Sequence, residues 1–125
     1  MNSIENTAPN NSICIAAIAK NEEPFFDEWI VYHRLIGVEH FFIYDDDANS
    51  PLKSLLESKY EYVTVIDWHT KHSSIEGRNR QTKAYFHAAT HFAKSFEWIA
   101  FLDIDEYIVL RKYENLNEFL SLFKE

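Results

Sequence analysis

The chain has 125 residues, 46% hydrophobic and 26% charged, which is room for one globular domain around one core. Its formal net charge of -8 repels polyanions, so nucleic-acid binding is not expected, and no apolar run approaches the roughly 20 residues of a membrane-spanning helix. Glycine occurs only at Gly37 and Gly77. That excludes the G-x-G-x-x-G dinucleotide loop and the P-loop, which need several glycines close together.

Met1 to Ser12 is polar, with Asn2, Asn6, Asn10 and Asn11. It lacks the basic start and apolar stretch of a secretory signal. Residues 1–12 read as a flexible leader and 13–125 as the domain. The expected location is cytoplasmic or peripheral to a membrane. Ile13 to Ala19 is a nearly continuous apolar run, as in a strand covered on both faces. Cys14 lies inside it and reads as a small core residue. As the single cysteine it forms no internal disulfide.

Pro24 suits the first turn of a helix. Phe25, Phe26, Trp29, Ile30, His33 and Arg34 follow at helical spacings, and Gly37 is the stop. His40 to Tyr44 predicts a second strand, followed by the loop residues Asp45 to Ser50. Pro51 with Leu52, Leu55 and Leu56 predicts a short helix. Tyr62 to Trp68 is a third strand, rich in β-branched residues. His69 to Glu76 reads as a loop, with capping-box spacing at Ser73 and Glu76. A helix is expected from Asn79 to Ser95, with Ala84, Ala88, Phe92 and Phe96 near one face. Trp98 to Leu102 is a fourth strand ending on Asp103. A closing helix is expected from Asn115, with Leu116, Phe119, Leu120 and Phe123 along it. Strands alternating with helices predict an α/β domain, a mostly parallel sheet with helices on both faces.

In such sheets ligands bind outside the carboxyl ends of the strands. Three strands end there in polar clusters: Lys20-Asn21-Glu22, Asp45-Asp46-Asp47 and Asp103-Ile104-Asp105-Glu106. In a continuing strand, residues i and i+2 point to one side. Asp103 and Asp105 would then be crowded carboxylates, a situation a cation relieves. Hard oxygen ligands suit Mg²⁺ or Mn²⁺, and a cation there would bridge to a diphosphate. The competing reading is that the two carboxylates cap the next turn. Asp45 is placed to accept hydrogen bonds from a base or ribose. For Asp46 and Asp47 a solvated turn is the favoured reading. Arg78 and Arg80 suit either phosphate or nucleobase contacts or an ion pair at a helix start. His87 and His91 have zinc-ligand spacing, but Ala88 stands where H-E-x-x-H needs a glutamate, so zinc is not expected. Trp29, Trp68 and Trp98 read as core residues or partly buried anchors.

Several blocks carry a resemblance. Ala19-Lys20-Asn21-Glu22, then Glu28-Trp29-Ile30 and Tyr32-His33, resembles the opening of DUF23-like glycosyltransferases, the family 92 group and related family 2-like bacterial proteins. Gly37 to Asp45 resembles their second strand, and Gln81 with Tyr85 and His87 their central helix. Trp98 to Tyr107 is similar to their metal-binding block. The resemblance covers about residues 13 to 120, with the blocks in the family's order. It implies a GT-A (Rossmann-like) fold, a UDP- or GDP-sugar donor, a hydroxyl acceptor such as a glycan, and Mn²⁺ or Mg²⁺. It places the metal at Asp103 and Asp105. It places the nucleotide sugar at Ala19, Asn21, Glu22, Asp45, Arg78 and Asp103. Members continue well past the Asp-x-Asp strand. The domain is therefore expected to be incomplete on its C-terminal side, with the catalytic base beyond Glu125.

Two rival readings remain at this level. One is a truncated, non-catalytic module that binds nucleotide or metal, or makes only protein contacts. The other is a HAD-type phosphatase with Asp103 as nucleophile and Asp105 as acid/base. Against the phosphatase, its motif normally opens the domain, and Tyr107 sits where a small residue is usual.

Overall fold

The structure is a computed structural model and describes residues 12–20, 25–47, 52–69 and 77–123, with only the backbone of Gly77 and Arg78 described. Four strands, β1 (Ile13–Ala19), β2 (His40–Asp45), β3 (Val63–Asp67) and β4 (Trp98–Phe101), form one sheet in the order β3-β2-β1-β4. Every pairing is parallel. The helices are α1 (Phe26–Leu35), α2 (Leu52–Glu57), α3 (Gly77–His91) and α4 (Leu116–Leu120).

The apolar run of β1 is explained by two cores. Ile13, Ile15, Ala17 and Ala19 pack with residues of α1, α2 and α4. Cys14 and Ala16 pack on the other face with Ala84 and Ala88 of α3. Both sets are buried, so the two-residue alternation of a strand leaves no polar trace. β2 repeats the pattern, with Phe41 and Ile43 on one face and Phe42 and Tyr44 on the other. The small side chains of Ala84 and Ala88, both fully buried, present a low helix surface to the sheet. Phe92, just past α3, stacks on Phe42 with centroids 4.0 Å apart. Burial pushes the Cys14 thiol up to about 12, which makes it an inert core group.

α1 buries Phe26, Trp29, Ile30 and His33, the i, i+3, i+4, i+7 stripe of a core-facing helix. Its first turn carries Asp27 and Glu28, favourable at the positive end of the helix dipole. It ends where the Gly37 N–H reaches the Arg34 carbonyl at 3.2 Å, with Gly37 at φ +119°. A Cβ there meets nothing closer than 3.7 Å, so the demand for glycine is conformational. Gly37→Ala is expected to cost about 1–3 kcal/mol from backbone strain alone. Urea unfolding monitored by tryptophan fluorescence checks this, and an unchanged midpoint would refute it.

α4 begins as expected at Asn115, whose side chain accepts from the Glu118 N–H at 2.9 Å, an N-cap. The helix expected over 79–95 is α-helical only to His91, then closes in a 3₁₀ turn over Ala93–Ser95. That turn brings the chain round into β4. β4 stops at Phe101, short of the expected Leu102. The Ser73 and Glu76 capping box lies outside the described residues.

Candidate functional site

β1 is flanked by β2 on one side and by β4 on the other. The chain runs outward from β1 to β3, then crosses back to place β4 beside β1. The crevice between the carboxyl ends of β1 and β4 is therefore the topological switch point, where ligands of open α/β sheets bind. Register puts Ala19 beside Asp45 and Asp45 beside Asp67 on this edge. Phe101 pairs with Ala16, three residues before the end of β1, so the acidic segment that follows lies beside that end.

Ala19 is 1% exposed, and its carbonyl accepts from the Asp46 N–H at 2.9 Å. Asp45 is buried. Its Oδ1 accepts from the Asp47 N–H at 3.1 Å, an Asx turn. Its main-chain oxygen accepts from Trp68 and His69 at 3.0 and 3.1 Å. Asp45, the last residue of β2, thus fixes the start of the segment that follows it.

Asp46 departs from the solvated turn favoured by the sequence. It is buried, and both its carboxylate oxygens accept from Arg80 Nε at 2.9 Å. Arg80 Nη2 also donates to Asp46 Oδ1 and, at 3.1 Å, to the Trp68 carbonyl. The indole N–H of Trp68 in turn donates to the Arg80 carbonyl at 3.1 Å. Arg80 is therefore a strap between α3 and the strand ends, bidentate as guanidinium geometry favours. Of the other residues placed at the nucleotide, Asn21, Glu22 and the Arg78 side chain lie outside the described residues.

The acidic segment after β4 is a turn and not an extension of the strand. The Glu106 N–H donates to the Asp103 carbonyl at 3.0 Å. The Asp103 N–H donates back to Glu106 Oε1 at 2.9 Å. Ile104 is fully buried among the α1-side core residues, and Asp105 is exposed. The i, i+2 strand argument for pairing Asp103 with Asp105 is therefore corrected: a turn anchored by Ile104 places both. Capping is present too, but Glu106 supplies it.

Asp103 Oδ1 accepts from Gln81 Nε2 at 3.1 Å. The same amide nitrogen lies 3.0 Å from the Tyr85 hydroxyl, which accepts its second N–H. Burial holds the Tyr85 phenol above its ordinary value. The sequence marked Gln81 and Tyr85 only as part of a family-like helix. Their i, i+4 spacing on α3 was the available signal.

A second set of residues was missed. Trp29 Nε1 donates to the Glu106 carbonyl at 2.9 Å. The Tyr32 hydroxyl donates to the Ile108 carbonyl at 2.6 Å. The Ile108 N–H donates to His33 Nε2 at 3.2 Å. One helix thus holds the main chain that follows the acid turn. In sequence Trp29 and His33 read as part of a helical stripe, and all three as part of the family-like opening, with no role at the site.

Among the described residues no group of three or more His, Cys, Asp or Glu side chains is placed to hold a metal ion. His87 and His91 stack at 4.0 Å, and His87 Nδ1 lies 2.7 Å from the Tyr44 hydroxyl.

Comparison with known proteins points one way. The family model of glycosyltransferase family 92 matches residues 10–125. A glycosyltransferase family 92 protein of Oryza sativa subsp. japonica is 32% identical over 114 residues, 88% of this chain and 18% of its own length. One from Ricinus communis is 32% identical over 113 residues, 86% of this chain and 19% of its own. One from Arabidopsis thaliana is 26% identical over 97 residues, 78% of this chain and 16% of its own. The chain thus spans less than a fifth of the length of these curated relatives. No solved structure matches it.

Proposed function

This chain belongs to glycosyltransferase family 92, and on that premise we propose that it is the nucleotide-sugar-binding part of a metal-dependent glycosyltransferase of GT-A type. The observation that carries the reading is the acid turn at the switch point. Asp103 and the exposed Asp105 lie just past the end of β4, beside the end of β1. The base and ribose of a UDP- or GDP-sugar would lie near Asp45, with Ala19 beside it in register; Asn21, Glu22 and Arg78 are assigned to the same ligand from the family resemblance alone.

Two carboxylates supply hard oxygen, and Asp103 has one oxygen engaged by Gln81. Glu106 is turned to the Asp103 N–H. Mg²⁺ is commonly bound by one or two carboxylates completed by phosphate oxygens and water. The residues fit Mg²⁺ or Mn²⁺ in that shared mode, not as an all-protein cage. Asp105 would hold the ion directly, and Asp103 would reach the ribose or the ion through water. A cation held there would supply charge neutralisation for the leaving diphosphate. Gln81 keeps the Asp103 carboxylate aimed, and the Asp46–Arg80 strap keeps the loop after β2 in register with β1. A hydroxyl acceptor, such as that of a glycan, would attack the anomeric carbon as the nucleoside diphosphate leaves, its proton passing to a general base. Inverting stereochemistry is our reading by family analogy. Family membership displaces the phosphatase alternative.

Calorimetry with UDP or GDP, with and without MnCl₂, tests this. Binding of one of them that requires the metal is expected, with little binding of Mn²⁺ alone. Absence of metal-dependent binding for both would overturn the reading. A turnover assay with sugar nucleotides separates a transferase from a binding module, since binding without transfer or donor hydrolysis would favour the module. Gln81→Met keeps the length of the side chain but removes the donor. It is expected to weaken metal-dependent nucleotide binding about tenfold, in the range for outer-shell partners of metal ligands.

A further inference from the structure

The segment 106–110 follows the acid turn without regular secondary structure, so its main-chain polar groups need partners elsewhere. Three of them find side chains of α1: the Glu106 carbonyl on Trp29, the Ile108 carbonyl on Tyr32 and the Ile108 N–H on His33. On its other side the turn hangs from the sheet, where the Leu102 N–H reaches the Ala16 carbonyl at 3.3 Å. The position of Asp103 and Asp105 is therefore set from two sides, by β1 and by α1.

We propose that His33, together with Trp29 and Tyr32, is a positioning residue for the acid turn: its neutral imidazole holds the Glu106–Ile108 segment, and through it the turn, where ligand binds. This rests on the reading of Asp103 and Asp105 as the donor site. The hydrogen-bond pattern fixes the tautomer. Ile108 brings an N–H, so Nε2 must be the bare acceptor. Nδ1 then carries the proton and donates to the Trp29 carbonyl at 2.9 Å. A neutral imidazole has one donor and one acceptor, whereas an imidazolium has two donors. Protonation would set N–H against the Ile108 N–H and push the segment off the helix.

The ring is fully buried. Tyr107 stacks on it at 5.5 Å from the segment side, and Tyr32 and Trp29 meet it edge-on at 5.0 and 5.1 Å from its own helix. Of these, the phenols are the titratable groups, and Glu28 of α1 acts on Tyr107. From the loop after α1, the Val38 N–H takes the His33 carbonyl. Arg34, the charged neighbour on α1, turns to the Val38 and Glu39 carbonyls. Burial lowers the His33 pKa from its ordinary 6.5, opposed by the Trp29 carbonyl. A lowered value means the folded chain resists a proton the unfolded chain accepts. The stabilisation is fully present above 6.5 and is lost as pH falls below it toward the folded value.

The test compares wild type, His33→Gln and His33→Phe in Mn²⁺-dependent UDP binding between about pH 7.5 and pH 5.5, the range in which histidine titrates. A Gln oxygen placed near Nε2 accepts from Ile108 and does not titrate. His33→Gln is expected to keep near wild-type affinity at the upper pH and to lose part of the acid-side fall. His33→Phe is expected to bind about tenfold more weakly at the upper pH, as loss of outer-shell support does. Equal affinity of the folded Phe variant, or an acid-side fall in the Gln variant as steep as wild type, would overturn the proposal. If His33→Phe does not fold, Tyr32→Phe replaces it, with a smaller loss expected and unchanged affinity overturning the proposal. Hydrogen exchange at the Ile108 amide separates this from failure of the donor reading. Protection retained in His33→Gln, lost in His33→Phe and lost in wild type at the lower pH supports the brace even if UDP does not bind. Protection that none of these changes overturns it.

Discussion

Asp105→Ala is expected to abolish metal-dependent binding of UDP while leaving the fold intact. Asp105 is exposed in the turn between the buried Ile104 and the capping Glu106. Exposed substitutions away from special features usually change stability by within about 0.5 kcal/mol. The binding loss is large because a divalent ion that keeps its waters depends on one or two carboxylates. Asp105 is the one carboxylate proposed to hold the ion directly, so its loss removes the direct protein ligand. Calorimetry with UDP and Mn²⁺, beside a urea unfolding curve, checks both halves. UDP binding as tight as wild type in the presence of metal would refute the central assignment. Asp103→Ala is a poorer probe, since it also strips Gln81 of a partner.

Asp46→Ala is expected to be the most destabilising single change at the strand ends, by about 3 kcal/mol, the lower end for breaking a buried ion pair. Both side chains of the pair are only 12% exposed. Removing the carboxylate takes from the Arg80 guanidinium the buried counter-charge that Asp46 supplies beside the Trp68 carbonyl. Joint replacement by apolar residues of similar volume, Asp46→Leu with Arg80→Met, should recover much of the loss, because the buried pair is then removed whole and not broken. Urea midpoints of the two variants decide it. A single variant within about 0.5 kcal/mol of wild type, the scale of ordinary surface changes, would show that the strap carries no stability.

The order of strands and helices was legible because each element carries a local signal. Ile13 to Ala19 has length and apolarity, α1 has its buried stripe, Gly37 marks the stop and Asn115 the cap. The candidate site was legible as an address more than as an arrangement. Asp103 and Asp105 sit at the expected strand end, but the alternation that was to pair them stops at Phe101. The burial of Ile104 decides their placement, and an isoleucine between two aspartates does not announce which way the chain turns. Asp46 was misread for a related reason. Its partner Arg80 is 34 residues away, and no local pattern distinguishes a paired aspartate from a solvated one.

The sequence alone determined the parallel α/β class, the absence of a glycine-rich phosphate loop, and the family to which the acidic block belongs. Those depend on composition, periodicity and the order of blocks, all of which are local or additive. Tertiary structure alone decided that β4 returns to lie beside β1, which puts the topological switch point at the acid turn. It alone brought Gln81 to Asp103 and α1 to the Glu106–Ile108 segment. These contacts join residues 22 to 77 positions apart. Their energy comes from satisfying buried polar groups, and which groups are buried together is known only once the sheet has closed.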